Sequence, residues 1–426
     1  MPLDCRYGAY LTKEKVAELV APHPDTLKFI RSWLEYHDVP PSNVSPSHGG
    51  GWLTVAGVPV SKANDMLGAS YQLYQHAGTN ETILRTVGYA LPAAIHVLVQ
   101  TVAPTTYFGS PGSLRQTLRV RSGGAAAERL SRDYLVVNPS ILRLLYNTWA
   151  YKPTAMDRNL LGITGYHEEY ASFEDLKVFM EKERSDALNP TFTVEEVNSN
   201  GYDPENPGEE ANLDMQYAQA MAWPTRHVFY SVGGLPEEFT PDSLQPVNNN
   251  EPFLDWLNYM SKQDGVPQTI STSYSGNEQT FPPDYAKSIC DLFATLGSRG
   301  VSLLVSSGDD GVGGGDCKKN DGSDVVQFQP TFPSTCTFGF YFFPLMNSTQ
   351  AQMSLTTPAR IFAGPFVTSV GGTTGLPEDA APISGGGFSN IFERPPYQVD
   401  VVPRFFLELG DEHSGLYKYA RCRDRA

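Results

Sequence analysis

The chain has 426 residues, more than one hydrophobic core usually serves, so two folding units are the natural division. Hydrophobic residues at 40% and charged residues at 18% are globular proportions and exclude wholesale disorder. With 31 Lys and Arg against 47 Asp and Glu, a net of −16, a nucleic-acid backbone is excluded as a partner, and no stretch approaches the roughly 18 continuous apolar residues of a membrane span.

The charge is uneven. Residues 1–136 hold 12 basic and 10 acidic side chains, and the remainder holds 19 against 37, so a near-neutral first part precedes a strongly acidic second part. Met1-Pro2-Leu3-Asp4-Cys5 lacks the charged-then-apolar pattern of a signal peptide. Residues 1–108 mix two periods: Lys13–Val20 and Pro24–His37 carry helical spacing, while Trp52–Val55, Ser70–Leu73 and Thr82–Val87 read as short strands. An α+β domain follows from this. Between Gly109 and Ser131 the run GSPGSLRQTLRVRSGGAAAERLS has no apolar periodicity, and residues 109–136 read as an exposed, protease-sensitive linker.

From residue 137 to 426 the rhythm becomes βαβ. Asn159–Thr164 is the first strand, and Ser172 with Asp175 three residues on marks a helix start. Thr269–Tyr274 is a β-rich run, Ala286, Ile289, Cys290, Phe293 and Leu296 keep helical spacing, and Val301–Val305 is a buried strand. Strand, helix and strand in that order imply a parallel pair. With His227–Val232 and Phe366–Val370 as further strands, this second part is an α/β unit with a doubly wound parallel sheet, which binds ligands at the carboxyl ends of its strands. The five cysteines form no CxxC pair; Cys290 reads as a buried helix residue, and Cys317 and Cys336 are placed to pair in a loop-rich region.

Glu210 and Asp214 stand four apart in GEEANLDMQYAQAM, one turn apart on one helix face; alone, such a pair is usually a solvated acidic face. Asp309 ends the strand VSLLV in SSGDDG, where a turn-forming Asp before Gly is also ordinary. The Gly-rich runs VGGTTG at 370–375 and SGGGFSN at 384–390 lack the GxxxxGK[ST] pattern of a phosphate cradle.

Taken together and in order, GEEANLDMQY, LLVSSGDDG, FQPTFPSTC, FVTSVGGTTG and SGGGFSNIFERP resemble the sedolisin, or serine-carboxyl, peptidases. EPFLDWL and TISTSYSG match as well, and the pattern is most similar to fungal tripeptidyl-peptidases of that family. Upstream, YLTKEKVAELVAPHPDTL, WLTVAGVPVS, YALP and TVAPTTYF resemble the family's pro-domain, and NPSILRLLYN resembles the start of its catalytic domain. The resemblance implies a subtilisin-like sheet behind a ferredoxin-like pro-domain at 1–108. It also implies secretion, peptide or protein substrates, the chain's own pro-domain as intramolecular inhibitor, and calcium as cofactor.

Residue by residue, it places the catalytic glutamate at Glu210, the supporting aspartate at Asp214 and the oxyanion aspartate at Asp309, with Ser273, Tyr274 and Gly276 against the substrate. A carboxylate base suits acidic pH, where imidazole is protonated. A subtilisin-type Ser-His-Asp site on a similar sheet would need a histidine base; His227 and His413 read as structural or surface residues, which leaves His167 to test. A sedolisin endopeptidase, and a non-catalytic homologue that binds peptides or a protease, are compatible with the same motifs. The family's SGTSAS-type nucleophile motif and its calcium-ligand segment are not found in residues 1–426, so no metal ligand is assigned. Residues 337–364 interrupt the family's order between FPSTC and PFVTSVGGTT, and they read as intron-derived sequence or a lineage-specific loop with an apolar patch.

Overall fold

The computed structural model describes residues 9–75, 82–106, 137–155, 158–187, 189–198, 201–236, 238–323, 325–336, 366–375, 378–411 and 416. The expected linker at 109–136 and the interrupting stretch 337–364 lie outside the described residues, as do His413 and Ser414.

The first unit holds α1 (Lys13–Val20), α2 (Pro24–Tyr36), β1 (Val44–Pro46), β2 (Leu53–Val55), α3 (Val60–Leu67), β3 (Gln72–Gln75), β4 (Thr82–Arg85) and α4 (Ala93–His96). Thr12 caps α1 by accepting the Lys15 amide at 3.2 Å, and Pro24 opens α2 with a φ already helical. β1 pairs antiparallel with β2, and β3 with β4. Leu34, Val39, Met66 and Leu67 form the small core beneath them. Residue pattern alone did not reveal α3, because its eight residues start on the β-branched Val60 straight after Pro59; Gly68 in the left-handed region at φ +53° then ends it.

The second unit runs α5 (Pro139–Leu145), β5 (Leu160–Gly165), α6 (Phe173–Glu183), β6 (Thr193–Val197), α7 (Glu209–Ala222), β7 (Arg226–Val232), α8 (Phe253–Lys262), β8 (Thr269–Thr272), β9 (Gly276–Asn277), α9 (Pro283–Ser298), β10 (Ser302–Ser306), β11 (Thr331–Phe332), β12 (Thr368–Val370), β13 (Thr373–Thr374), β14 (Asp379–Ala380) and α10 (Val401–Leu409). Six strands form one sheet in the order β12-β10-β8-β5-β7-β6, and every pairing in it is parallel. Alternation splits the core in two. Ile163 and Phe229 face α6 and α7, while Val228, Tyr230, Ile270, Leu303 and Val305 face α8 and α9. Ala286, Ile289, Cys290, Phe293 and Leu296 of α9 are all buried, as their helical spacing requires. Truncating Phe293 to Ala would cost about 3–5 kcal/mol.

The expected pairing of Cys317 with Cys336 is not the one found. Cys336 pairs with Cys290, across a Cα separation of 5.3 Å, and Cys317 is free. Packing decides the choice: α9 passes beneath the chain that follows β11, while Cys317, at φ +55°, puts its sulfur into the space that Gly313 leaves, where a Cβ would stand 2.3 Å away.

The first unit docks along α8, α9 and the amino ends of β8 and β10. Leu11 N donates to Ser298 O at 3.0 Å, Lys13 Nζ donates to Lys262 O at 3.1 Å and to the Asp264 carboxylate, and Gln100 Nε2 reaches Asp284 O at 3.2 Å. Gly300, at φ +90°, lies against the Tyr10 ring, which a Cβ would meet at 2.4 Å.

Candidate active site

Helix α7 carries the two spaced acids. Its N-cap is Gly208, which has no side chain to cap with; instead Glu169 Oε2 accepts the amides of Glu210 at 3.1 Å and Ala211 at 3.3 Å. Gly208 is what allows this, because a Cβ there would stand 2.5 Å from Glu169 Cβ. Glu169 is aimed by the turn after β5, where His167 and Glu168 both hold left-handed φ values, +58° and +59°, and the Glu169 amide closes onto Tyr166 O at 3.0 Å. Asn212 fixes the other side of the helix start: its Oδ1 accepts the Ser172 amide at 2.8 Å and its Nδ2 donates to Asp175 at 2.8 Å. Ser172 caps α6 through the Asp175 amide, as its spacing indicates.

One turn along α7, Asp214 Oδ1 accepts the Ser273 hydroxyl at 2.6 Å, and Asp214 Oδ2 is buried with no hydrogen-bond partner among the described residues. Ser273 follows β8, and Tyr274 beside it is buried, its phenol donating to Glu169 Oε2 at 3.3 Å and its ring 5.2 Å from that of Tyr166. Burial, the Asp214 charge and the nearby Glu169 and Asp309 charges all raise the Glu210 carboxyl, against the opposing hydrogen bond from Ser273. Asp214 is raised in the same way, first by burial and then by Glu169. The two carboxyls sit in each other's field and favour sharing a proton over both ionising.

Asp309 lies exposed just past β10, its carboxyl raised by desolvation and by the Asp310 charge. Glu169, Glu210, Asp214, Ser273, Tyr274 and Asp309 therefore gather at the carboxyl ends of β5, β8 and β10, the edge where a parallel sheet places ligands.

Gly276 lies just past Tyr274, in β9. It pairs with Phe332 between β9 and β11, where a Cβ would stand 2.7 Å from Asn250 Oδ1. Ser273 and Tyr274 turn their hydroxyls inward to the carboxyls, so what they offer outward is backbone. Glu169 is the residue of this cluster that motif and spacing did not reveal. The signal for it was Gly208 itself, a helix start whose N-cap has no oxygen and needs one from elsewhere.

Neither His227 nor His167 is placed as a base among the described residues. His227 is buried, its Nδ1 donating to Thr225 O at 2.9 Å, and burial lowers it to about 4. His167 Nε2 lies 3.6 Å from the buried Glu251, with no serine hydroxyl among its contacts.

Residues 1–108 match the family of the pro-kumamolisin activation domain. Among solved structures, the chain is similar to Pseudomonas sedolisin, a serine-carboxyl proteinase complexed with two molecules of pseudo-iodotyrostatin, at 20% identity over 62% of this chain and 66% of that one, with a TM-score of 0.39. Among curated proteins, it is 33% identical to tripeptidyl-peptidase SED2 of Arthroderma otae, over 98% of this chain and 67% of the relative. It is also 33% identical to the probable tripeptidyl-peptidase SED3 of Arthroderma benhamiae, over 96% of this chain and 65% of that relative. The length and continuity of the SED2 match, together with the activation domain at its head, settle the family: the chain belongs to the sedolisin peptidases, whose tripeptidyl-peptidases are its relatives.

Proposed function

We propose that this chain is the pro-domain and acid-bearing part of a secreted, acid-acting peptidase zymogen that releases tripeptides from unblocked amino termini. The observation that carries the reading is the Glu210–Asp214 pair, one turn apart on α7, with Asp214 held by the Ser273 hydroxyl and the two carboxyls coupled so that one proton serves both. In this reading Glu210 takes the proton from the attacking serine hydroxyl and returns it to the leaving amine, and Asp214 orients Glu210 and shares its proton. Asp309, kept protonated in acid, donates a hydrogen bond to the oxyanion of the tetrahedral intermediate. Ser273 and Gly276 present main chain to the substrate, and Tyr274 backs the carboxyls. In this reading the attacking serine is that of an SGTSAS-type motif, which is not found in residues 1–426.

The pro-domain inhibits in cis until acidification cuts the basic linker between Gly109 and Val137. Calcium enters only through the family: among the described residues no three His, Cys, Asp or Glu side chains cluster to hold an ion, so no step is routed through it. No helix among the described residues is long and apolar enough to cross a membrane.

The test begins with the gene. Splice signals around codons 337–364 and an exon encoding SGTSAS downstream of codon 415 are the expected finding. The product translated through that exon should then cleave unblocked tripeptide amides at acidic pH, where an imidazole base is protonated and one carboxyl of the coupled pair must still be ionised to accept the serine proton. Glu210→Gln should lower its kcat by about 10²–10⁴-fold. Maximal activity above neutral pH, or a Glu210→Gln enzyme with unchanged kcat, defeats the assignment.

A further inference from the structure

Glu278 is a carboxylic acid with no exposed surface, and the proposed chemistry does not use it. Its two oxygens each hold a donor from the SGGGFSN run: Oε1 accepts the Ser389 hydroxyl at 2.5 Å and Oε2 accepts the Asn390 amide at 2.6 Å. Ser389 Oγ in turn accepts the amides of Ile391 at 3.1 Å and Phe392 at 2.7 Å, so both its lone pairs and its proton are committed, which removes it as a nucleophile. Burial pushes the Glu278 carboxyl up, and the hydrogen bonds from the Ser389 hydroxyl and the Asn390 amide oppose that rise.

The same loop grips the Asp309 turn at its other end. Gly385 N donates to Gly308 O at 2.8 Å and Gly311 N donates to Ile383 O at 2.9 Å, one bond on each side of Asp309 and Asp310. Ser384 Oγ lies 3.2 Å from Ser307 Oγ and accepts the Gly372 amide at 3.1 Å. The approach is so close that a Cβ on Gly385 would stand 1.8 Å from Ser307 O. A second route starts at the same place. Glu278 N donates to Pro330 O at 2.9 Å, and Thr331, paired with Asn277, donates its hydroxyl to Ser307 O at 2.7 Å. Both routes run from Glu278 to Ser307–Gly308, the residues that lead into Asp309.

We propose that Glu278 is a positioning residue: it anchors the SGGGFSN loop, and through that loop and β11 it fixes the Asp309 turn in the active site. The functional meaning rests on the reading of Asp309 as the oxyanion group; the mechanical link does not. Replacing the carboxylate with an amide leaves one acceptor for two buried donors and sets an NH₂ group against one of them.

The experiment compares residues 1–426 with the Glu278→Gln variant by hydrogen–deuterium exchange, and follows the Asp309 carboxyl by carbon-13 NMR titration. Exchange should quicken by about tenfold both at 389–392 and at 307–311, with α6 and β6 unchanged, because only one cooperative unit is loosened. The Asp309 titration should fall back toward the ordinary carboxylate range as the turn relaxes into water. Faster exchange confined to 389–392, an unmoved Asp309 titration, or a uniform rise across the chain would overturn the proposal, the last reducing Glu278 to a contributor to core stability. Should Glu278→Gln fail to fold, Ser389→Ala removes half of the anchor and must give the same paired response. These readouts test the link whatever Asp309 does chemically, whereas a peptidase assay of Asp309→Asn in the product that carries the serine tests Asp309 whatever holds it.

Discussion

The Glu210–Asp214 pair makes a stability prediction as well as a catalytic one. Both carboxyls bind protons more tightly in the folded chain than in the unfolded one. A group raised in this way contributes fully below its unfolded pKa, near 4, and its contribution is lost as pH rises through the folded value. The second unit should therefore melt at a lower temperature at pH 8 than at pH 4, and Asp214→Asn should flatten that slope. At about 2–4 °C per kcal/mol for a domain of this size, a change of several degrees is readable by calorimetry. A pH slope unchanged in the variant would show that the pair ionises freely in the folded state. Sequence spacing was enough to put these two acids on one face. It held no hint that Ser273, 59 residues on, would bridge to Asp214, since that contact depends on β8 lying beside β5 beneath α7.

At the scale of elements, α7 is held at its first turn by a residue from another element. Glu169→Gln keeps an acceptor but removes the charge that faces the helix N-terminus, and Glu169→Ala removes both, which should cost about 0.5–2 kcal/mol, the usual worth of an N-cap. Gly208→Ala should destabilise by about 1–3 kcal/mol, because the new Cβ meets Glu169. Combined with Glu169→Gly, which removes the Cβ that the new methyl meets, the loss should be less than additive, and a double-mutant cycle in urea checks this. Additive losses would mean that Gly208 is required for its backbone alone.

The sheet strands β5, β7, β8, β10 and β12 and the helix α9 were legible because their patterns are strong, as in TISTSY and VSLLV, whereas β6 and α8 were not read. The short α3 was not, nor was the Cys290–Cys336 bridge, whose partners meet only after α9 has packed. That bridge closes a loop of 46 residues, for which chain entropy alone gives about 4 kcal/mol. Cys336→Ser should lower denaturant stability by up to that amount, and Cys317→Ser should leave it unchanged within about 0.5 kcal/mol. The reverse pattern would reinstate Cys317 as the bridging residue.

For the whole molecule, the pro-domain and the acids occupy different places on one sheet. Leu11 and Lys13 grip the chain at the amino ends of β8 and β10, while Glu210, Asp214 and Asp309 lie at the carboxyl ends. The docking strap therefore does not cover the acids itself. These acids activate a serine and stabilise an oxyanion in the proposed chemistry, and none of them makes the attack. Oriented acids and oxyanion donors without a nucleophile retain at most about 10³–10⁴ over water in a well-studied serine protease, which is invisible against the slow spontaneous hydrolysis of a peptide bond. The most direct measurement incubates purified residues 1–426 at acidic pH with a tripeptide-releasing fluorogenic substrate. No turnover at any pH is the predicted result; turnover that survives repurification and disappears in Glu210→Gln would place the nucleophile within these residues, at Ser384 or Ser414, and would contradict the assignment.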